Sequence, residues 1–122
     1  MVDIDALAQF AVRAIAAKIQ QAGFVVIASY TRENYEELNR DPNELSFDQH
    51  MELIKKVGEL VAKLGFEDKV AFQNVDASEY WRWIAKRDLP DNRAVRGLFA
   101  ELKYSGKLDS EIKGIEDLRK LK

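Results

Sequence analysis

The sequence contains no cysteine, one histidine and two prolines among its 122 residues. Lack of cysteine excludes a disulfide framework, a thiolate metal site and a thiol nucleophile. With a single histidine, every pairing of a nucleophile with an imidazole base would have to run through His50. Glycine-rich phosphate loops, Gly-x-Ser-x-Gly turns and zinc-helix motifs are also missing. No run approaches the roughly 20 apolar residues of a membrane-spanning helix, because Arg13 and Lys18 interrupt the most apolar stretch. Asp3 and Asp5 stand where a cationic leader would be, so the chain reads as cytoplasmic and without a signal peptide. Neither internal repeats nor low-complexity tracts are evident, and no linker divides the chain, which reads as one domain over residues 1–122.

What is present is a globular balance: 47% hydrophobic and 33% charged residues. The net charge of −2 is unevenly spread. Between Thr31 and Glu52 seven acids (Glu33, Glu36, Glu37, Asp41, Glu44, Asp48, Glu52) face only Arg32 and Arg40, whereas Asp76 to Lys107 holds seven bases and five acids. Such segments form either ordinary solvated surface or two complementary patches, within one molecule or between two.

Periodicity predicts a mainly α fold, a bundle of five or six helices. The first runs from about Asp3 to Ala22, with Ile4, Leu7, Ala8, Ala11, Ile15 and Ile19 on one face and Gly23 as its stop. Phe10, Val12, Ala14 and Ala17 widen the apolar arc, leaving a narrow polar stripe of Asp5, Gln9, Arg13 and Gln20. A helix so apolar is central to its fold or covered by a second chain. Residues 24–39 fit two patterns. Phe24 to Tyr30 could be a buried strand paired with residues 70–75, making the fold α+β. Phe24, Ile27, Ala28, Thr31, Tyr35 and Leu38 also share a helical face, and helix is the preferred expectation because a lone two-stranded sheet is marginal. Asn39 to Leu45 is a loop. Ser46 and Gln49 form a capping box ahead of Phe47, Met51, Ile54, Val57, Val61 and Leu64. Asp76 and Asp91 are expected to cap two further helices, the first carrying Tyr80, Trp81 and Ile84 inward and the second Val95, Leu98, Phe99 and Leu102; a last helix starts near Ser110.

Chemistry-bearing residues are sparse. His50 falls inside the apolar arc of its helix and reads as a packed, neutral histidine. Asp48 and Glu52, an i, i+4 pair, read as solvated surface rather than a metal site. The richest segment is 79–96, two helices joined by a short turn, a helix-turn-helix outline. There Trp83, Lys86, Arg87, Arg93 and Arg96 form a candidate anion or nucleic-acid surface, with Trp83 placed outside the core arc. The leading expectation is a small non-enzymatic interaction or accessory protein needing no cofactor, which binds another protein or self-associates as a homodimer through the first helix, with Phe10 or Val12 at the contact. A nucleic-acid-binding regulator using 79–96 is the alternative, and an enzyme with a carboxylate-based site comes third.

Overall fold

A computed structural model describes residues 2–112 and 114–120. Among these the chain forms α1 (Ile4–Ala22), β1 (Val25–Ser29), α2 (Arg32–Leu38), α3 (Phe47–Lys63), a 3-10 turn (Glu67–Lys69), β2 (Val70–Asn74), α4 (Ala77–Arg87), α5 (Arg93–Tyr104) and α6 (Ile115–Arg119). The fold is mainly helical with one short parallel sheet, β1 beside β2. The chain divides into two compact units. One comprises Met1–Val25 with Asn39–Ala71, the other Val26–Leu38 with Phe72–Lys122.

In the first unit α1 packs against α3. Ala8 and Val12 meet Val57 and Val61, with Ala11, Ile15, Leu53 and Leu60 around them. Each helix starts on a capping side chain, which satisfies backbone donors that a first turn leaves without partners. Asp3 accepts from the Ala6 amide at 3.0 Å, and Ser46 and Gln49 complete the expected box. Val2–Asp5 and Gln49, Glu52 and Lys56 line one open depression, so the two helices begin at the same end. Each is followed by a left-handed glycine, Gly23 at φ 78° and Gly65 at φ 76°. A Cβ at either would meet no atom within 4 Å. The cost of Gly23→Ala or Gly65→Ala is therefore conformational alone, about 1 kcal/mol each, expected to appear as similar losses in urea unfolding.

The second unit buries Tyr80, Trp83 and Ile84 of α4 against Val95, Phe99 and Ala100 of α5, with Val75, Leu38 and Leu89 closing the cluster. The Phe99 ring stands edge-on to Tyr80 and to Trp83, both at 5.4 Å between centroids.

Three expectations need correction. Residues 25–29 are a strand, not part of a helix, and α2 begins only at Arg32. The apparent helical face was a β-branched strand running into a short helix, and the signal dividing them is Thr31, whose hydroxyl accepts from the Asn34 amide. Asp91 does not cap α5; Asn92 does, accepting from the Val95 amide at 2.9 Å. The last helix begins at Ile115 rather than near Ser110. Lys113, inside the predicted range, lies outside the described residues.

The structure also reveals a repeat. Helix, Gly-Phe, strand, capping residue and second helix occur twice, as α1–β1–α2 and α3–β2–α4. Equivalent residues lie 42 apart as far as Gly23-Phe24 and Gly65-Phe66, and 45 apart from Val25 and Val70 onward. The 3-10 turn Glu67–Lys69 accounts for the three added residues. Thr31 and Asp76 are equivalent caps, and Tyr35 and Tyr80 are equivalent buried tyrosines. Leu38 and Trp83 match likewise, both buried. In the first unit Ala11 and Ile15 are equivalent to Leu53 and Val57, so the two long helices meet through matching positions.

Candidate interaction surface

α1 turns Ala8, Val12 and Ile19 inward, and residues on its opposite side are exposed. Leu7, Phe10, Ala14 and Ala17 lie there at alternating three- and four-residue spacing, which on a helix draws one continuous line. All four are exposed, Leu7 to 38% and Phe10 to 73%. Val12, the other residue expected at a contact, is 8% exposed in the core beside Val57 and Val61. The repeat provides an internal comparison. The equivalent positions of α3 are Gln49, Glu52, Lys56 and Glu59, all polar; Lys56 is half-buried and paired with Asp5 of α1, and the other three are exposed. The same fold position is thus polar in one repeat and apolar in the other, and helix geometry does not require the apolar version.

No protein family, curated protein or solved structure matches this chain.

The residues singled out on 79–96 do not share one face. Trp83 is 5% exposed and belongs to the core of the second unit. Its indole N–H donates to the Leu108 carbonyl at 3.1 Å. Arg87 lies over the Trp83 ring at 5.1 Å and donates through Nη2 to the same carbonyl at 2.6 Å. Arg96 turns inward as well. Its Nε and Nη2 both reach the Asp91 carboxylate at 2.8 Å, and Nη2 also reaches the Leu38 carbonyl at 2.7 Å. Tyr80 completes the group by donating its hydroxyl to Asp91 at 2.7 Å. Of the five, Lys86 and Arg93 are exposed. On α4 the exposed aromatic is Trp81, beside exposed Arg82, a pairing the sequence reading missed because it assigned Trp81 to the core.

The electrostatics of this group are those of a structural clamp. Burial raises the Tyr80 pKa, and its hydrogen bond to Asp91 raises it further. Burial alone would push the Asp91 pKa up, but hydrogen bonds from Arg96 and Tyr80 outweigh it and hold the carboxyl below its ordinary range. Arg96 shows the complementary balance: burial favours the neutral form, and Asp91 more than offsets it. Tyr30, raised mainly by burial, stacks edge-on with Tyr35 at 5.7 Å.

His50 is half-buried on α3 at the position equivalent to Ala8. In the first unit Lys56 pairs with Asp5, whose hydrogen bond raises the lysine pKa, and lies 3.8 Å from Glu52. Among the described residues no three His, Cys, Asp or Glu side chains come together as a metal site. No described helix is long and apolar enough to cross a membrane.

Proposed function

We propose that this protein is a non-enzymatic interaction domain that self-associates through the outer face of α1. The observation carrying this reading is Phe10. It is the most exposed large apolar side chain among the described residues, at 73%, and it sits in an apolar line whose counterpart on α3 is polar. Leaving a phenylalanine in water forfeits about 2 kcal/mol of burial free energy. A second protein surface recovers it without disturbing the core, because Phe10 points away from Ala8 and Val12.

The test is sedimentation velocity across micromolar to millimolar concentration. Wild type is expected to pass from monomer to dimer. Phe10→Asp, which places a charge at the centre of the contact, should raise the dissociation constant at least tenfold while leaving the circular dichroism and urea midpoint close to wild type. Wild type remaining monomeric throughout defeats the reading, as does a Phe10→Asp protein that dimerises equally well.

A further inference from the structure

We infer that the free edge of β2 is a pairing site for β2 of a second copy, the two strands lying antiparallel about a two-fold axis at Phe72 and joining two short sheets into one of four strands. This contact is separate from the α1 face and does not rest on it.

The backbone sets the demand. The Val75 N–H donates to the Ser29 carbonyl at 2.8 Å. Successive residues of a strand turn their backbone groups to opposite sides. Ala71 and Gln73 therefore face β1 as Val75 does, and Val70, Phe72 and Asn74 face away. The Asn74 carbonyl accepts from Gln73 Nε2 at 3.0 Å. Among the described residues no group takes up the Phe72 N–H or C=O. Sheets commonly blunt such an edge with a charge, a proline or a bulge, yet Val70–Asn74 holds neither a charged residue nor a proline. Phe72 is 47% exposed, so the edge is open to a partner. A sheet of two strands is also marginal by itself, and further strands stabilise it.

What a second copy can offer decides the occupant. The other outer edge of the sheet belongs to β1, where Val26 and Ala28 face away from β2. Val26 is only 7% exposed, and both residues pack in the core of the second unit. Head-to-tail pairing of β2 with β1 of the next copy is therefore closed, which leaves β2 against β2. Turned end for end about Phe72, the strand is its own complement. Phe72 exchanges both backbone hydrogen bonds with Phe72 of the second copy, Val70 stands opposite Asn74, and no charge lies within the ladder. The two Phe72 rings then share one face of the joined sheet as a cross-strand aromatic pair. A two-fold contact uses one patch twice and closes on itself, so this pairing stops at two copies. The edge of one short strand buries less than the roughly 800 Å² per partner of a stable complex, so the pair is expected to form toward millimolar concentration.

Two measurements test it, both on the full-length Phe10→Asp protein, in which the α1 contact is weakened, so their outcome is independent of that contact. The first is amide hydrogen exchange followed by NMR. The Phe72 N–H should exchange at least threefold more slowly at millimolar than at micromolar concentration, while the Ala71 and Gln73 N–H groups, bonded to β1, are slow at both. Adding Phe72→Lys, which sets two charges at the two-fold axis, should remove the concentration dependence at residue 72 and leave the circular dichroism unchanged. The second measurement reads the register. Because the chain has no cysteine, any introduced thiol is the sole one. Val70→Cys and a size-tagged Asn74→Cys are mixed at millimolar concentration under thiol–disulfide exchange. In the antiparallel pair residue 70 of one copy faces residue 74 of the other, with Cα atoms about 5.5 Å apart and within reach of a disulfide. The two copies of either residue lie about 14 Å apart, four residues along the strand. The mixed-size disulfide should be at least fivefold more abundant than either same-size product. A twofold excess, that of random collision, overturns this register. Exchange at Phe72 that does not depend on protein concentration overturns pairing with a second copy and leaves the edge to a strand of another protein.

Discussion

Phe99→Ala is expected to destabilise the protein by about 3–5 kcal/mol, the usual cost of emptying a filled aromatic site. Phe99 is fully buried and its ring is the one both Tyr80 and Trp83 stand against. Removing it deletes two edge-to-face contacts at once and opens a cavity between α4 and α5. Neighbouring side chains cannot close that cavity easily, since Trp83 is tied to Leu108 and Tyr80 to Asp91. For a domain whose whole stability is about 5–15 kcal/mol, this loss brings the second unit near its unfolding threshold at room temperature. Urea unfolding followed by tryptophan fluorescence checks it directly, because both tryptophans belong to that unit. The informative contrast is Phe10→Ala, the same chemical deletion on an exposed surface, which should shift the monomer midpoint hardly at all.

Arg96→Ala should cost about 2–3 kcal/mol, because it strips hydrogen bonds from one charged and one neutral acceptor. The Arg96 side chain is 12% exposed and that of Asp91 25%, so water replaces only part of what is lost. Removing the arginine leaves Asp91 with the Tyr80 hydroxyl and leaves the Leu38 carbonyl without this donor. The same clamp predicts a pH dependence. Asp91 has a folded-state pKa below its ordinary value. Its contribution is therefore complete above the unfolded carboxyl pKa of about 3.9. It is lost as pH falls through the lower folded-state value. Asp91→Asn cannot make this contribution at any pH. Wild type should exceed Asp91→Asn in urea midpoint at pH 7, and the gap should narrow progressively below about pH 4. A constant gap would mean that the Asp91 charge contributes nothing.

The long helices were legible because their signals are local. A capping side chain, an apolar arc and a terminal glycine all lie within one segment, as Ser46, Val57 with Val61, and Gly65 show for α3. What failed depends on partners distant in sequence. The strand at 25–29 is decided by β2, some 45 residues away, and no local periodicity carries that information. Trp81 and Trp83 are two residues apart on α4. Which of them faces inward depends on where α5 and Leu108 lie, so the sequence reading reversed them. Arg96 seemed available as a surface cation because its acceptors, the Leu38 carbonyl and the Asp91 carboxylate, are a folded arrangement and not a motif. For the candidate surface, Phe10 was visible as surplus apolar area, whereas the polar counterpart on α3 became visible only once the repeat aligned the two helices. That repeat escaped notice because its identical residues are few, Gly-Phe, the valine that opens each strand and one tyrosine, and an insertion interrupts its spacing.

The form of that insertion has a consequence of its own. A strand alternates faces at every residue, so three extra residues added in extended form would turn β2 inside out relative to β1. Here the three residues are wound as a 3-10 turn, and such a helix completes one revolution every three residues. The chain leaves the insertion at the angle at which it entered, displaced along the axis but not rotated. The junction between Phe66 and Val70 therefore behaves like a screw thread with one permitted step: length can change there by a whole revolution, whereas a change of one residue must be absorbed as a rotation of everything that follows.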